Sequence, residues 1–204
     1  MFLPSPDYSL IEKPDLFMPL WQENTVQGRK PGMQLHATWI DTPLAPMVAL
    51  ASQESLYLLE FMTRKKLRQE VLRLQQRGFI IEWGENEPLH SIAMELKQYF
   101  SGVLQVFKTP YKLFGTSFQQ AVWHTLQQIP YGETRSYAEQ ARMLAKPQAC
   151  RAVANANGAN QLAIIIPCHR VIASDGSLGG YGGGLPMKQG LLEHEKQHYW
   201  LASS

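Results

Sequence analysis

Hydrophobic and polar positions follow two different rhythms along this chain. Between residues 35 and 61 three short runs, LHATWID, MVALAS and SLYLLEF, are broken by TPLAP and QE, which predicts a meander of three strands. From Arg64 the period lengthens. RKKLRQEVLRLQQRG sets Leu67, Val71, Leu72 and Leu74 near one helical face and stops at Gly78. FIIEWG predicts a further strand, and PLHSIAMELKQYFSG predicts an amphipathic helix carrying Ile92, Met94, Leu96 and Phe100 up to Gly102.

The second half is mostly helical in pattern. VLQVFKTPYKLFG, residues 103–115, has prolines and glycines at its boundaries and reads as a connection between lobes. SFQQAVWHTLQQI repeats Phe118, Val122, Leu126 and Ile129 under a Ser or Thr cap; PYGE turns the chain, and SYAEQARMLA starts a short helix at Ser136. Pro147 suits the first position of a third helix, PQACRAVANANG, which Gly158 can end. That order is the order of a helix-turn-helix unit. LAIIIPCHRV, from Leu162, reads as a buried strand that runs into Pro167, Cys168, His169 and Arg170. The expected organisation is an extension or linker remnant at 1–33, a lobe at 34–102, a connection at 103–114 and a second lobe at 115–204. The extension holds Pro4, Pro6, Pro14, Pro19 and Pro31 without a sustained period.

Composition adds boundaries. The 204 residues have the apolar and charged fractions of an ordinary globule, and no apolar run approaches the ~20 residues that span a bilayer. Cys150 and Cys168 are too few for a disulfide framework or a four-thiolate zinc site, so a reducing compartment and a soluble, cytoplasmic monomer are expected, with no membrane partner. Net charge is only +2, but it is unevenly spread. Between residues 109 and 170, Lys112, Arg135, Arg142, Lys146, Arg151 and Arg170 face only Glu133 and Glu139; between 34 and 100, seven basic residues face eight acidic ones. Phosphate binding is therefore expected of the second lobe.

A cysteine after an apolar strand is ordinarily a small core residue. A polar His-Arg pair following it indicates a strand end in a cleft, where a nearby imidazole or cation can lower a thiol's pKa from ~8.5 toward neutrality. Cys168 and His169 alone give two metal ligands at most, so no metal is expected.

The motifs GTSFQQAVWHTLQQIPYGETRSY at 115–137, RAVANANGAN at 151–160, LAIIIPCHRVI at 162–172 and GYGGGLPMKQGLLEHE at 180–195 occur in one order over about ninety residues. In these the chain resembles the O6-alkylguanine-DNA alkyltransferases, the methylated-DNA–protein-cysteine methyltransferases. WIDTPLAPMVALAS and SLYLLEF resemble the same family's first lobe more weakly. The resemblance implies an α+β protein with a ribonuclease-H-like N-terminal lobe and a mostly helical, winged-helix-like C-terminal lobe carrying a helix-turn-helix and the reactive cysteine. It implies single-turnover transfer of an alkyl group from O6 of guanine in double-stranded DNA to Cys168, with no cofactor, and a bacterial member working at the nucleoid.

By the same resemblance His169 acts on the thiol through a water, Glu195 orients the histidine, Asn160 braces the turn before the cysteine, and Tyr137 is the proton donor to guanine N3. Arg151 fills the gap left by the flipped nucleotide. Ala152 and Ser136 meet the DNA, Val171 and Cys168 read the base through their carbonyls, and Tyr181, Gly182 and Gly183 cover it. The chain departs from the pattern at Gly182, where many members have Ser or Arg, at Ala163, where some have Pro, and at Ala154, where Gly is commoner. Two other classes fit parts of the pattern: a damage-flagging DNA binder, whose known forms lack the cysteine, and a cysteine hydrolase, which would turn over.

Overall fold

The computed structural model describes residues 32–202, so nearly all of the 1–33 extension lies outside the described residues. Two compact units are present: the chain up to Lys97 together with Lys108–Lys112, and Gln98–Phe107 together with the chain from Leu113 on.

In the first unit β1 (Gln34–Ile40), β2 (Met47–Ala51) and β3 (Leu56–Phe61) form an antiparallel meander, and β4 (Ile80–Trp83) lies parallel to β1 at the far edge, in the order β3-β2-β1-β4. A parallel neighbour needs a crossover, and α1 (Leu67–Gln76) lies between β3 and β4 in sequence. β2 and β3 are buried at every position, which explains why their residues are apolar except Glu60, whose carboxyl lies against Arg64. β3 nevertheless ends the sheet order. Its start is covered by the 108–112 segment, where Leu56 N donates to Pro110 O (2.8 Å) and Lys112 N to Leu56 O (2.8 Å). α2 (Glu87–Phe100) holds that segment too: the Glu95 carboxylate accepts from Lys108 N (2.6 Å) and from the Thr109 hydroxyl (2.7 Å). Hence the division falls inside α2 and returns at 108, whereas the sequence reading drew its boundaries at 102 and 115. Met94, expected on the inner face of α2, is 64% exposed.

The second unit is built on α3 (Ser117–Gln127), α4 (Tyr137–Met143) and α5 (Cys150–Asn157). Thr116 with Gln119, and Ser136 with Glu139, close reciprocal capping boxes that satisfy the orphan amides of α3 and α4. Val122, Ala141, Val153 and Ala156 form the seam, and a buried Gln140–Asn157 amide pair (Asn157 Nδ2 to Gln140 Oε1, 2.7 Å) fixes α4 against α5. α5 begins at Cys150, three residues later than Pro147 suggested, because residues 146–149 are taken up by a turn closed from Ala149 N to Lys146 O. α6 (Leu185–Ala202) ends the described chain.

The expected strand at LAIII is not a strand. Ile166 N returns to Leu162 O, Ile165 N to Ala163 O, and Ile164 takes a left-handed φ of 71°. The run is apolar because every residue is buried, and burial without a period fits a compact turn as well as a strand. Val171–Ile172 (β6) pair, in parallel, with Arg135–Ser136 (β5).

A charge cluster in the first unit gives a test. Arg64 is buried against Glu70 and, at 3.3 Å, Glu60, so two carboxylates share one guanidinium. Burial pushes the Glu60 carboxyl up to about 8; Arg64 opposes this and Glu70 adds to it. The folded protein thus keeps a proton that the unfolded chain releases above its ordinary carboxylate pKa, and stability falls as pH rises from there through about 8. Glu60→Gln should therefore resist urea better than the parent at pH 8, by on the order of 2–4 kcal/mol, with the gain fading toward pH 5.

Candidate active site

Pro167 leads into a single 3-10 turn, Cys168–Arg170. With about three residues per turn, successive side chains point roughly 120° apart. This geometry accounts for Cys168 and His169 standing side by side: His169 is fully buried, Arg170 is 7% exposed and Cys168 remains half-buried. Asn160 braces the approach. Its Nδ2 donates to Ile166 O (2.8 Å) and lies 3.3 Å from Cys168 Sγ, while its Oδ1 accepts from Leu162 N (3.1 Å).

Glu195, fully buried on α6, is the centre of the network. Its carboxylate meets His169 Nε2 (2.8 Å), Arg170 Nε (2.9 Å) and Nη2 (3.0 Å), the Tyr99 hydroxyl (2.9 Å) and Gly132 N (3.1 Å). Burial alone would raise this carboxyl, but His169 and Arg170 outweigh it and hold it well below the carboxylate range. Burial pushes His169 down against the pull of Glu195, so the ring is neutral at neutral pH. Because an ionised carboxylate only accepts, Nε2 carries the ring's hydrogen and Nδ1 carries the lone pair. That Nδ1 is buried and has no hydrogen-bond partner among the described residues. Tyr99 is held far above its ordinary pKa by burial and by Glu195, so its hydroxyl stays a donor.

A second set of contacts surrounds the 178–184 loop. Lys188, fully buried on α6, donates to the carbonyls of Val171, Leu178 and Gly180 and lies 5.9 Å from the centre of the Tyr137 ring. Burial depresses it to about 8, with Cys168 pulling the other way. The Tyr137 hydroxyl donates to Gly180 O (3.3 Å); burial raises its pKa and Cys168 raises it further. Gly179 has φ +65° and a Cβ there would come within 3.0 Å of the Tyr137 ring, so this position requires glycine.

The structure thus brings Cys168, His169, Glu195 and Asn160 together, and places Tyr137 and the Val171 carbonyl around Lys188. Tyr181 and Gly182 are half-buried and Gly183 is buried in the adjoining loop. Arg151 and Ala152 are on the exposed face of α5, outside this network. The Ser136 hydroxyl is engaged in its cap, accepting from Glu139 N and donating to Glu139 Oε2 (2.7 Å). Arg170, counted above among cations suited to phosphate, is turned inward onto Glu195 and Ile129 O (2.7 Å) instead.

Sequence reasoning missed Tyr99, Arg170 and Lys188 as parts of the site. For Lys188 a signal existed: Met187, Lys188, Leu191, His194 and Glu195 recur at helical spacing and are all buried, so two charged residues share the apolar stripe. Tyr99 carried none, being one more aromatic on an amphipathic helix. Among the described residues no group of three His, Cys, Asp or Glu side chains could hold a metal ion, and no helix is long and apolar enough to cross a membrane.

Comparison with known proteins gives one answer. The sequence model described as 6-O-methylguanine DNA methyltransferase, DNA binding domain, matches residues 117–197. A methylated-DNA–protein-cysteine methyltransferase of Methanosarcina barkeri (strain Fusaro / DSM 804) is 43% identical over 160 residues, 78% of this chain and 96% of that protein. One from Mycobacterium leprae (strain TN) is 42% identical over 169 residues, 83% of this chain and 96% of that protein. The crystal structure of Mycobacterium tuberculosis OGT in complex with DNA aligns with a TM-score of 0.69 at 40% identity, covering 80% of this chain and 94% of that one. With its fold, its cysteine turn and these relatives in agreement, the chain belongs to the methylated-DNA–protein-cysteine methyltransferase family.

Proposed function

We infer that this protein repairs DNA by moving the alkyl group of O6-alkylguanine onto Cys168, irreversibly and once per molecule. The observation that carries the reading is the half-buried Cys168 thiol in the same turn as a buried His169, which is paired with Glu195 and offers a bare Nδ1. In this reading a water passes the thiol proton to His169 Nδ1. The Cys168 sulfur attacks the alkyl carbon, a C–S bond forms, and the C–O6 bond breaks with its electron pair left on guanine. Tyr137, whose raised pKa keeps it protonated, donates a hydrogen bond to N3 and offsets that charge. The thioether carries no carbonyl for water to attack, so the cysteine is not regenerated.

O6 lies inside a duplex, so the nucleotide must be turned out at a cost of a few kcal/mol. We assign the docking to 115–204, with exposed α5 in the minor groove, Arg151 filling the vacated stack and Ala152 allowing close approach. That groove distinguishes bases poorly, which suits repair at any sequence. Residues 34–102 serve as the ribonuclease-H-like lobe in this scheme. The working compartment is the one that holds the DNA, the cytoplasm and nucleoid in a bacterial cell.

Intact and peptide masses after mixing with a duplex carrying one O6-methylguanine should show one methylene gained on the Cys168 peptide, at one equivalent per protein, and none in Cys168→Ala. Tight lesion binding with no mass gain would instead make the protein a damage flag, and repeated turnover would make it a hydrolase.

Glu195→Gln should slow the single-turnover rate by on the order of 10²-fold or more, and cost about 3–5 kcal/mol by leaving Arg170 buried without its counter-ion. Because the Glu195 pKa is depressed on folding, its contribution to stability is full above the ordinary carboxylate value and is lost as pH falls through the lower folded value. Acid titration of unfolding should show that loss in the parent and not in the variant.

A further inference from the structure

The near-neutral total of the first lobe conceals a one-sided surface. Of the seven basic residues between 34 and 100, six, Arg64, Lys65, Lys66, Arg68, Arg73 and Arg77, fall on α1 and the turns that flank it. Arg64 is buried on Glu60 and Glu70; the other five are exposed. Glu70 is the one acidic residue between 61 and 81, and it is 4% exposed and turned onto Arg64. The outward face of α1 is therefore lined by cations, with Gln69 and Gln76 between them. At 3.6 residues per turn Lys66, Arg73 and Arg77 fall within an arc of about 40°, and they span about 16 Å, the axial length of roughly five base-pair steps.

Part of this arrangement works against the helix that carries it, although Arg73 and Arg77 at the C-terminal end suit its dipole. Lys65 and Lys66 stand at the N-terminal end, where the helix dipole disfavours positive charge, and Lys66 makes no side-chain cap. Arg73 and Arg77 are like charges four residues apart, where a solvated helix commonly places an opposite pair. Among the described residues of this unit the exposed acids, Asp41, Glu54, Glu82, Glu85 and Glu87, belong to other segments. A face this rich in exposed cations fits a polyanionic occupant, and the reaction supplies one in each event: duplex DNA.

We propose that the exposed face of α1 is a second DNA-contact surface, a sequence-independent phosphate strip borne by the first unit and separate from the helix-turn-helix. It rests on the DNA-repair reading above. Its cations hold the phosphate backbone and take no part in the chemistry at Cys168.

The test uses the full-length protein and the triple variant Lys66→Gln, Arg73→Gln, Arg77→Gln, with Lys97→Gln, Lys108→Gln, Lys196→Gln as a control of equal charge. Binding to a lesion-free duplex is followed by fluorescence anisotropy between roughly 50 and 200 mM salt. The strip variant should bind about 10-fold more weakly at the low-salt end, and its log–log salt slope should be shallower by about two to three units, near 0.9 per lost phosphate contact. Its methyl-transfer rate at saturating DNA should equal the parent's. Parent-like affinity and slope would overturn the proposal, as would an equal loss in the control, which would mark an effect of net charge alone. A parent unable to take up methyl would sink the repair reading instead, so the two failures are distinguishable.

Discussion

A carboxylate with no access to water is the constraint on which the second unit depends. Stripping Glu195 of its hydration costs several kcal/mol, and the cost is offset only if enough donors converge with good geometry. Those donors are four residues from three places in the chain: the end of α2 (Tyr99), the turn before α4 (Gly132), and two consecutive residues of the cysteine turn. Folding and chemistry are therefore coupled. The segments cannot satisfy Glu195 without also seating His169 behind the thiol, with its Nε2 committed and its Nδ1 bare.

Arg170 gives this network its sign. A carboxylate paired only with histidine would favour an imidazolium, which cannot accept a proton. With the permanently charged guanidinium on the same two oxygens, Glu195 is neutralised already, and burial leaves His169 neutral. The histidine can then serve as a base while still being oriented by a carboxylate. Lys188 and the Tyr137 hydroxyl converge on Gly180 O, so the 178–184 loop is tied by a cation and a phenol.

What the sequence revealed follows from the range of the forces involved. The helices of the second unit were legible because their signals are local: Thr116 with Gln119, Ser136 with Glu139, and apolar repeats at helical spacing. The strand predicted through LAIII failed because five buried apolar residues carry no period, and the path was set by a side chain outside the run, Asn160, which binds the carbonyls of Leu162 and Ile166. Cys168 and His169 were marked locally by the polar pair that ends the apolar run, but Glu195 was legible only through family resemblance; nothing local relates residue 169 to 195. Tyr99 lies further still, since its role depends on an approach of segments ninety-six positions apart. Summed charge misled in both directions. It credited Arg170 to the surface and it averaged away the cations of α1.

The two basic elements differ in how the chain supports them. On α5, Arg151 is the single cation, set in the first turn among alanines with no like charge beside it; such a residue suits insertion, where shape and reach matter more than field. On α1 Lys65 and Lys66 oppose the helix dipole and Arg73 and Arg77 repel each other, while Leu67, Val71 and Leu74 keep the helix in place from below. Core burial of that kind stabilises a helix whatever its outer face carries, which leaves that face free to be selected for an external partner. A site that acts once gains from this division. On the proposed reading its affinity for undamaged duplex, needed to search for rare lesions, can be set by α1 without altering the residues around Cys168.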